Sequence, residues 1–498
     1  MKRIVNELAK LNWGKMVYAV FVLCAATAVV LPARTFTTLH SFDGTDGGQP
    51  RAGLVQATNG DLYGTTGSGG VNNNAECSYF GTGCGTVFKI TPSGTLTTLY
   101  SFCAQSGCTD GYYPNAGLVQ ATNGDLYGTT AYGPNCPGVG PGCGTVFKIT
   151  PNGALTTLYS FGSQSGGGTN PTAGLVQASN GDFYGTTLNG GAGGNGTVFK
   201  ITPSATLTTL YSFCSQPNCT DGAQPYAGLV QATDGYLYGT TEGSGANGGG
   251  TVFKMTPSGT LTTLYSFCSQ SGCPDGSDPE AGLVQAANGD FYGTTRVGGT
   301  NSGGTVFRIT PGGTLTTLYS FCSQSACTDG SSPQSALVQA TNGDLYGTTG
   351  YGGNGYGTIF KITPSGELTT LYSLCSQSAC TDGEYLVAAL VQDTNGTFYG
   401  TTSSGGANGD GTVFSMSVGL GPFVETQTTS GKVGAAVKIL GSDLTGATSV
   451  SFNGTAATFT VVSRYLITTT VPAGATTGKV QVVTPSGTLS SNVPFRVP

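Results

Sequence analysis

Charge is scarce in this 498-residue chain: only 8% of residues are charged, and there is one His and one Trp. The shortage of Lys and Arg leaves no electrostatic footprint for nucleic acid. It equally leaves no basic patch to hold the chain on anionic lipid. A lone histidine, His40, excludes Ser–His–Asp and Cys–His mechanisms. His40 also stands where a repeated motif elsewhere carries Tyr, so it reads as a packing substitution. What is abundant is glycine, 84 residues, beside 38% hydrophobic residues in short β-branched and aromatic runs. That combination reads as many short strands joined by Gly-rich turns, hence an all-β chain.

The N-terminus has the layout of an export signal. Lys2, Arg3, Lys10 and Lys15 precede an apolar run from Met16 to Leu31, and residues 1–33 are expected to act as a signal peptide or a short N-terminal anchor. Cys24 lies in this run after Leu23, where a lipidation site would want a small residue. Removing the segment takes away four positive charges and Glu7, so the formal net charge moves from −6 to −9. The other fourteen Cys fall into close pairs: Cys77/Cys84, Cys103/Cys108, Cys136/Cys143, Cys214/Cys219, Cys268/Cys273, Cys322/Cys327 and Cys375/Cys380. Even pairing behind an export signal points to disulfides. Zinc would want four ligands per site, and each pair supplies two.

Internal repetition is the strongest signal. The triplet Leu-Val-Gln recurs from Leu54, Leu118, Leu175, Leu229, Leu283, Leu337 and Leu390. Each unit holds four strand-like runs, A to D. In the first unit these are residues 52–57, 61–66, 85–91 and 95–102. Thr-Asn-Gly between A and B and Pro-Ser-Gly between C and D are turn signals. Four-stranded meanders in seven copies predict a seven-bladed β-propeller spanning 34–418. Residues 35–42 are a lone copy of strand D, and the last repeat ends after strand C. The N-terminal strand is therefore expected to close the last blade, which removes two open edges.

Loop lengths separate two faces. The A–B and C–D turns keep one length throughout, whereas the B–C loops run 18, 13, 8, 8, 8, 7 and 8 residues. The D–A loops also vary and carry five of the Cys pairs. Both variable sets emerge at one end of a meander, where binding is expected. Just before strand A stand Arg51, Asn115, Thr172, Tyr226, Glu280, Gln334 and Val387, predicted to ring the channel mouth. Tyr79, Phe80, Tyr112, Tyr113, Tyr132, Tyr351, Tyr356 and Tyr385 lie in neighbouring loops. Aromatic rings beside amides and single charges suit sugar or peptide surfaces. The candidate ligand contacts are Arg51, Asn115, Tyr226, Glu280, Gln334, Tyr79, Phe80 and Tyr132. Drift in exposed loops would leave the same pattern.

Other recurring polar residues read as structural. Asp61, Asp125, Asp182, Asp290 and Asp344 follow Asn-Gly in the A–B turn and suit turn or strand starts. The strand-B tyrosines (Tyr63, Tyr127, Tyr184, Tyr238, Tyr292, Tyr346, Tyr399) recur with the repeat, more than a ligand needs. Asp110, Asp221, Asp275, Asp329 and Asp382 precede Gly on the variable face. One carboxylate per loop is short of a calcium cage of six to eight oxygens, so these predict hydrogen-bonded turns. No catalytic constellation, metal site or cofactor is expected.

The repeat LVQATNGDLYGTT…GTVFKITPSGTLTTLYSF resembles the GloVer tandem repeat of bacterial extracellular proteins over residues 35–416. The resemblance implies export and a surface role, not a defined activity. Beyond Gly419–Pro422, short alternating strands predict a small Ig-like β-sandwich. Two phrases there, SGKVGAAVKILGSDLTGATSVSFNGTAATF and ITTTVPAGATTGKVQVVTPSGTLSSNVPF, resemble the IPT/TIG immunoglobulin-like domain across 422–498. In bacterial surface proteins that domain serves as a spacer or adhesive module. The final residues, VPFRVP, do not match the sorting tail common in GloVer proteins, which favours release or N-terminal tethering. The expected function is a secreted or cell-surface binding or adhesion protein that recognises a glycan or surface protein, with no nucleic acid partner. The alternative is a secreted carbohydrate-active hydrolase or lyase using loop carboxylates. A structural envelope protein is the third reading.

Overall fold

A computed structural model describes residues 34–77, 82–134, 143–162 and 167–498. The expected export segment 1–33, Tyr79, Phe80 and Cys136 lie outside the described residues.

Each repeat builds one antiparallel four-stranded sheet in sequence order. In the first, Val55–Gln56, Leu62–Thr66, Thr86–Ile90 and Leu96–Ser101 lie side by side. Strand A is shorter than the six residues expected, with only Val-Gln paired. It is the innermost strand, and the glycines beside it bring neighbouring strands too close for a side chain. A Cβ on Gly53 would lie 2.9 Å from the Ala389 carbonyl oxygen. Strand B is buried throughout, so both its faces pack between sheets. The result is an all-β, β-propeller-like repeat fold. Among the described residues, the only helical segments are single 3-10 turns inside four of the Cys loops.

The sheet of the last repeat is completed from the other end of the chain. Thr35–Ser41 pairs antiparallel with Thr412–Ser417, matching Phe36 with Met416 and Ser41 with Thr412. Its register shifts between Thr38 and His40, opposite Phe414 and Val413. The C and D strands of the other repeats shift at the same place, as between Val87 and Phe88. The N-terminal strand therefore copies strand D down to its bulge.

Two sets of side chains tie each sheet to the next. The first Thr of every Gly-Thr-Thr donates to a carbonyl at the start of the following strand A. Thr65 reaches Ala116, Thr129 reaches Ala173, Thr186 reaches Ala227, and so on at 2.9–3.3 Å. Thr401 of the last repeat reaches Ala52 of the first at 3.1 Å, so the cycle of neighbours closes. In six of the seven repeats the Gln of Leu-Val-Gln accepts from the A–B turn of the preceding repeat, as Gln120 does from Thr58 N–H and Gln56 from Thr394 N–H, which makes a girdle of glutamines. Between sheets lie separate apolar clusters. One unites Tyr63, Val87 and Phe102 of the first repeat with Leu126, Phe147 and Ile149 of the second. Another unites Tyr399 and Val413 of the last with Leu54, Leu62 and Phe88 of the first.

Gly168–Thr169 pairs with Asn189–Gly190 in a small ladder of the third repeat's loops, and the C-terminal strands form two sheets around one further core. Val424–Thr426, Ala436–Gly441, Leu466–Thr470 and Phe459–Ser463 make one; Thr455–Ala457, Ser449–Phe452, Val480–Thr484 and Gly487–Ser490 make the other. Strict alternation, as in Val480–Thr484, turns Val480 and Val482 inward to meet Val424, Ile439, Phe452 and Ile467. The C-terminal run Val493–Val497 forms only isolated bridges through Phe495 and Arg496, not the strand its residues suggest.

Candidate binding face

The seven D–A loops arrive at strand A through one backbone geometry. Gln49, Tyr113, Asn170, Gln224, Asp278, Ser332 and Tyr385 all adopt left-handed φ between +51° and +59°. Left-handed backbone is unfavourable for residues with a Cβ, by roughly 1–2 kcal/mol. Its recurrence shows that the surroundings impose it. Each N–H donates to the B–C loop of the preceding repeat at 2.8–3.1 Å, as Tyr113 does to Cys84 and Asp278 to Gly249. Each carbonyl accepts from the residue after Gly-Thr-Thr in its own repeat at 2.9–3.1 Å, as Gln224 does from Glu242 and Asp278 from Arg296. In six repeats a buried Pro follows, packed on the Gly that opens the preceding strand C. At Gly85, φ is +93° and a Cβ would lie 2.5 Å from Pro114 Cδ. The next residue is the predicted mouth position, and at all seven it is exposed or half-buried.

Side chains at this position from different repeats share one space. The Tyr226 hydroxyl is pushed up by burial, then by Glu280, while Arg51 pulls it down; Glu242 and Tyr113 also act on it. Arg51, Tyr226 and Glu280, separated by more than two hundred residues of sequence, are thus brought within electrostatic range. Around Glu280 three carboxylates share one guanidinium. Arg296 Nε lies 2.6 Å from Glu280 Oε1, and its Nη2 lies 3.3 Å from Asp278 Oδ2. Burial nevertheless outweighs Arg296 and, with Glu242 and Asp278, pushes the Glu280 carboxyl up to about 7. Burial, then Asp278, also raises Glu242, against Arg296. Glu242 and Arg296 occupy one equivalent position, directly after Gly-Thr-Thr, in consecutive repeats.

The remaining candidates are distributed around the ring. Asn115 is half-buried with its Oδ1 lacking a hydrogen-bond partner, next to Gly67. Gln334 is half-buried beside Gly350. Tyr132 packs on Tyr112 and Tyr113, each with centroids 5.7 Å away. Tyr112 is buried, and its hydroxyl is pushed up to about 12 by burial and then by Glu76 and Tyr132. A second aromatic group joins Tyr385 to Tyr351 and Tyr356 at 5.5 and 5.8 Å, with Tyr351 half exposed. Sequence reading missed Gln49, Asn170, Gln224, Asp278 and Ser332 of the left-handed ring. Their one sequence signal is the Pro that follows each.

The Asp-Gly residues are inner braces of this face. Asp110, Asp221, Asp329 and Asp382 are fully buried and Asp275 nearly so. Each accepts the strand-D Tyr hydroxyl at 2.8 Å and a loop N–H, as Asp221 does from Tyr211 and Ser215. His40 plays the Tyr part, with Nε2 2.6 Å from Asp46 Oδ2. The strand-B tyrosines bond inside their own turns, as Tyr63 accepts from Asn59 Nδ2 at 3.0 Å, and Asn59 Oδ1 accepts from Asp61 N–H. These groups fold the loops and are not presented to a ligand.

Six Cys pairs are bonded as their spacing suggests: Cys77–Cys84, Cys103–Cys108, Cys214–Cys219, Cys268–Cys273, Cys322–Cys327 and Cys375–Cys380. Cys143 is also disulfide-bonded. The bridges are not equivalent in their surroundings, although their sequence spacing suggests one role. Cys77, Cys84 and Cys108 are buried in the apolar cluster between the first two repeats. Cys219, Cys273 and Cys327, which stand at the position of Cys108 in later repeats, are instead half-buried and lie outside the apolar clusters. Their backbone is left-handed, with φ of +53°, +50° and +52°. Their carbonyls accept the N–H groups of Gly245, Gly299 and Gly353 at 2.9–3.0 Å, which ties each D–A loop to the B–C loop of its own repeat. Cys219, Cys273 and Cys327 thus brace their loops. Among the described residues, both clusters with metal-ligand spacing consist of bridged sulfurs, one with Glu384.

Part of the opposite face is covered by the C-terminal pair of sheets. Gln427 Nε2 donates to the Gln120 and Ala121 carbonyls, and Lys438 Nζ to that of Thr122 at 2.8 Å. Thr394 bonds Ser442, Asn492 reaches the Gln339 carbonyl, and the Tyr465 ring sits where Gly60 would carry a Cβ. The A–B turns of the first, second, sixth and last repeats are therefore occupied.

A family model described as Gloeobacter/Verrucomicrobia repeat matches residues 27–179, 82–284, 138–328 and 269–462. No curated protein sequence matches. Among solved structures, a fungal alcohol oxidase of the AA5 family in complex with copper is similar at 12% identity and TM-score 0.51, over 93% of this chain and 98% of that one. The extracellular domain of a hybrid two-component system from B. thetaiotaomicron is similar at 10% identity and TM-score 0.51, over 91% of this chain and 46% of that one, so this chain spans about half of it. At such identities the likeness concerns the fold alone.

Proposed function

The chain belongs to the Gloeobacter/Verrucomicrobia repeat family, and we propose that this member is an extracellular, non-enzymatic binding protein. In this reading residues 34–418 are a seven-bladed propeller and 422–498 an IPT/TIG-type domain that caps it. The ligand is a glycan or a surface protein, held at the mouth ringed by Arg51, Asn115, Tyr226, Glu280 and Gln334. The carrying observation is the left-handed ring. Seven matching backbone frames, hydrogen-bonded on both sides, present seven different side chains on one face, and the other face is partly covered by the C-terminal sheets. Preorganised, varied side chains on a rigid scaffold are what selective binding needs. Disulfide-bridged loops suit an oxidising compartment, and among the described residues no helix is long and apolar enough to cross a membrane. The test is a glycan array and a surface-protein pull-down with the mature chain, Tyr226→Ala/Glu280→Ala, and a chain with the 67–84 loop shortened. Binding should fall at least tenfold in either variant. Binding that survives both changes refutes the assigned face.

Glu280 favours a second reading, a carbohydrate-active enzyme. Its carboxyl, raised to about 7 beside Glu242 and Asp278, has the form of a general acid near a second carboxylate. Release of reducing ends from a bound polysaccharide, abolished by Glu280→Gln, would replace the binding reading.

A further inference from the structure

Val424–Thr426, the first strand of the C-terminal sheets, runs against the innermost strands of the repeats. Its alternation places Val424 and Thr426 inward, with Val424 in the core of those sheets, and turns Glu425 the other way. Glu425 lines a cavity of about 240 Å³ that both parts of the chain enclose. The strands of the first, second and last repeats contribute Leu54, Val55, Val119 and Val391, and the C-terminal sheets add Leu440.

The polar groups of this cavity are unbalanced. The Gln56 amide is used by Thr394 on both sides, and the Gln120 amide by Thr58 N–H and the Gly124 carbonyl. Gln427 spends its amide N–H groups on the Gln120 and Ala121 carbonyls, which leaves its buried Oε1 with no donor. Among the described residues no Lys, Arg or His forms an ion pair with Glu425. Its one electrostatic neighbour, Asp393, is also acidic. The carboxylate remains open to water, yet the surrounding protein and then Asp393 push it up to about 7. The cavity thus offers one carboxylate and one unmatched amide oxygen within a largely apolar wall.

We propose that this cavity binds a small organic ammonium, with its N–H groups directed to Glu425 and Gln427 and its hydrocarbon body against the valines. An anion would meet the Glu425 carboxylate and the nearby Asp393, and a neutral apolar molecule leaves the carboxylate and the Gln427 oxygen unmatched. A calcium ion would need six to eight oxygens, which a wall dominated by Val and Leu does not supply. The site is separate from the loop face and does not depend on what that face binds.

The experiment is isothermal titration of the mature full-length chain with cyclohexylammonium chloride, cyclohexanol and calcium chloride at pH 8. Cyclohexylammonium should bind one to one, and cyclohexanol at least tenfold more weakly. Glu425→Gln, nearly isosteric, should weaken the ammonium at least tenfold, whereas Glu367→Gln, an equal charge change on an exposed C–D turn, should not. The comparison of ammonium with alcohol on the unmodified chain decides even if Glu425→Gln folds poorly. Equal binding of cyclohexanol, undiminished binding by Glu425→Gln, or calcium binding tighter than the ammonium would each overturn the assignment.

Discussion

The Thr401 hydroxyl donates to the Ala52 carbonyl at 3.1 Å, joining the last repeat to the first across 349 residues. The same bond links each other repeat to its successor, so this one is the closure of a cycle rather than a local contact. Beside it, Thr35–Ser41 fills the strand that the last repeat lacks. Deleting residues 35–42 should therefore expose the edge of Thr412–Ser417 and lower the melting temperature by more than 10 °C. Thr401→Val, which removes one buried hydrogen bond, should cost about 1 kcal/mol in urea unfolding. An unchanged melting curve for the deletion would show that the cycle does not need its last strand.

The glutamine girdle is broken at one joint. Gln56 makes two buried bonds with Thr394, Nε2 to Oγ1 and Oε1 from N–H, both at 3.0 Å. Gln392 donates to the Gly396 carbonyl, and its Oε1 has no partner. Gln56→Met should cost about 2–3 kcal/mol because it orphans Thr394. Gln392→Met should cost about 1 kcal/mol or less, since it removes an acceptor that is already unmatched. Equal losses in chemical denaturation would contradict this ordering.

Asp221 holds its loop by accepting from Tyr211, Ser215 N–H and Ser215 Oγ. Asp221→Ala should destabilise by about 1–3 kcal/mol, leaving the half-buried Tyr211 hydroxyl and the Ser215 N–H without their acceptor. Because the carboxylate oxygens are already engaged, EDTA should leave the melting temperature of the unmodified chain within 1 °C. A larger fall on chelation would mean that a metal competes for these loops.

Glu280 predicts how stability follows pH. Its carboxyl titrates near 7 in the folded chain and near the ordinary 4.5 when unfolded. Between those values the folded chain keeps a proton that the unfolded chain has lost. This contribution is therefore full below the unfolded value and disappears as pH rises through the folded one. Relative to Glu280→Gln, the unmodified chain should lose about 3 kcal/mol between pH 4 and pH 8. A parallel pH dependence for both proteins would show that Arg296 balances the burial.

Some of this protein follows from residues alone. A meander repeated seven times, a spare strand D at one end and a missing one at the other give the sheets and their closure. These features depend on short turns and on alternation within a few residues. Near-neighbour Cys pairs give the disulfides for the same local reason, and invariant turn lengths separate the two faces. What differs between bridges, Cys108 buried against half-buried Cys219, Cys273 and Cys327, depends on the neighbouring repeat and not on the spacing. The left-handed backbone at Gln49, Tyr113 and Gln224 was not legible, because nothing in those side chains favours positive φ. Loops from the preceding repeat impose it. Nor was the meeting of Arg51, Tyr226 and Glu280, or the displacement of the Glu280 carboxyl, since burial and charge there come from separate repeats. The placing of Glu425 over the inner strands was decided only when the C-terminal sheets docked on the A–B turns. That contact is made of backbone carbonyls and scattered polar side chains, which carry no periodic signal in the chain.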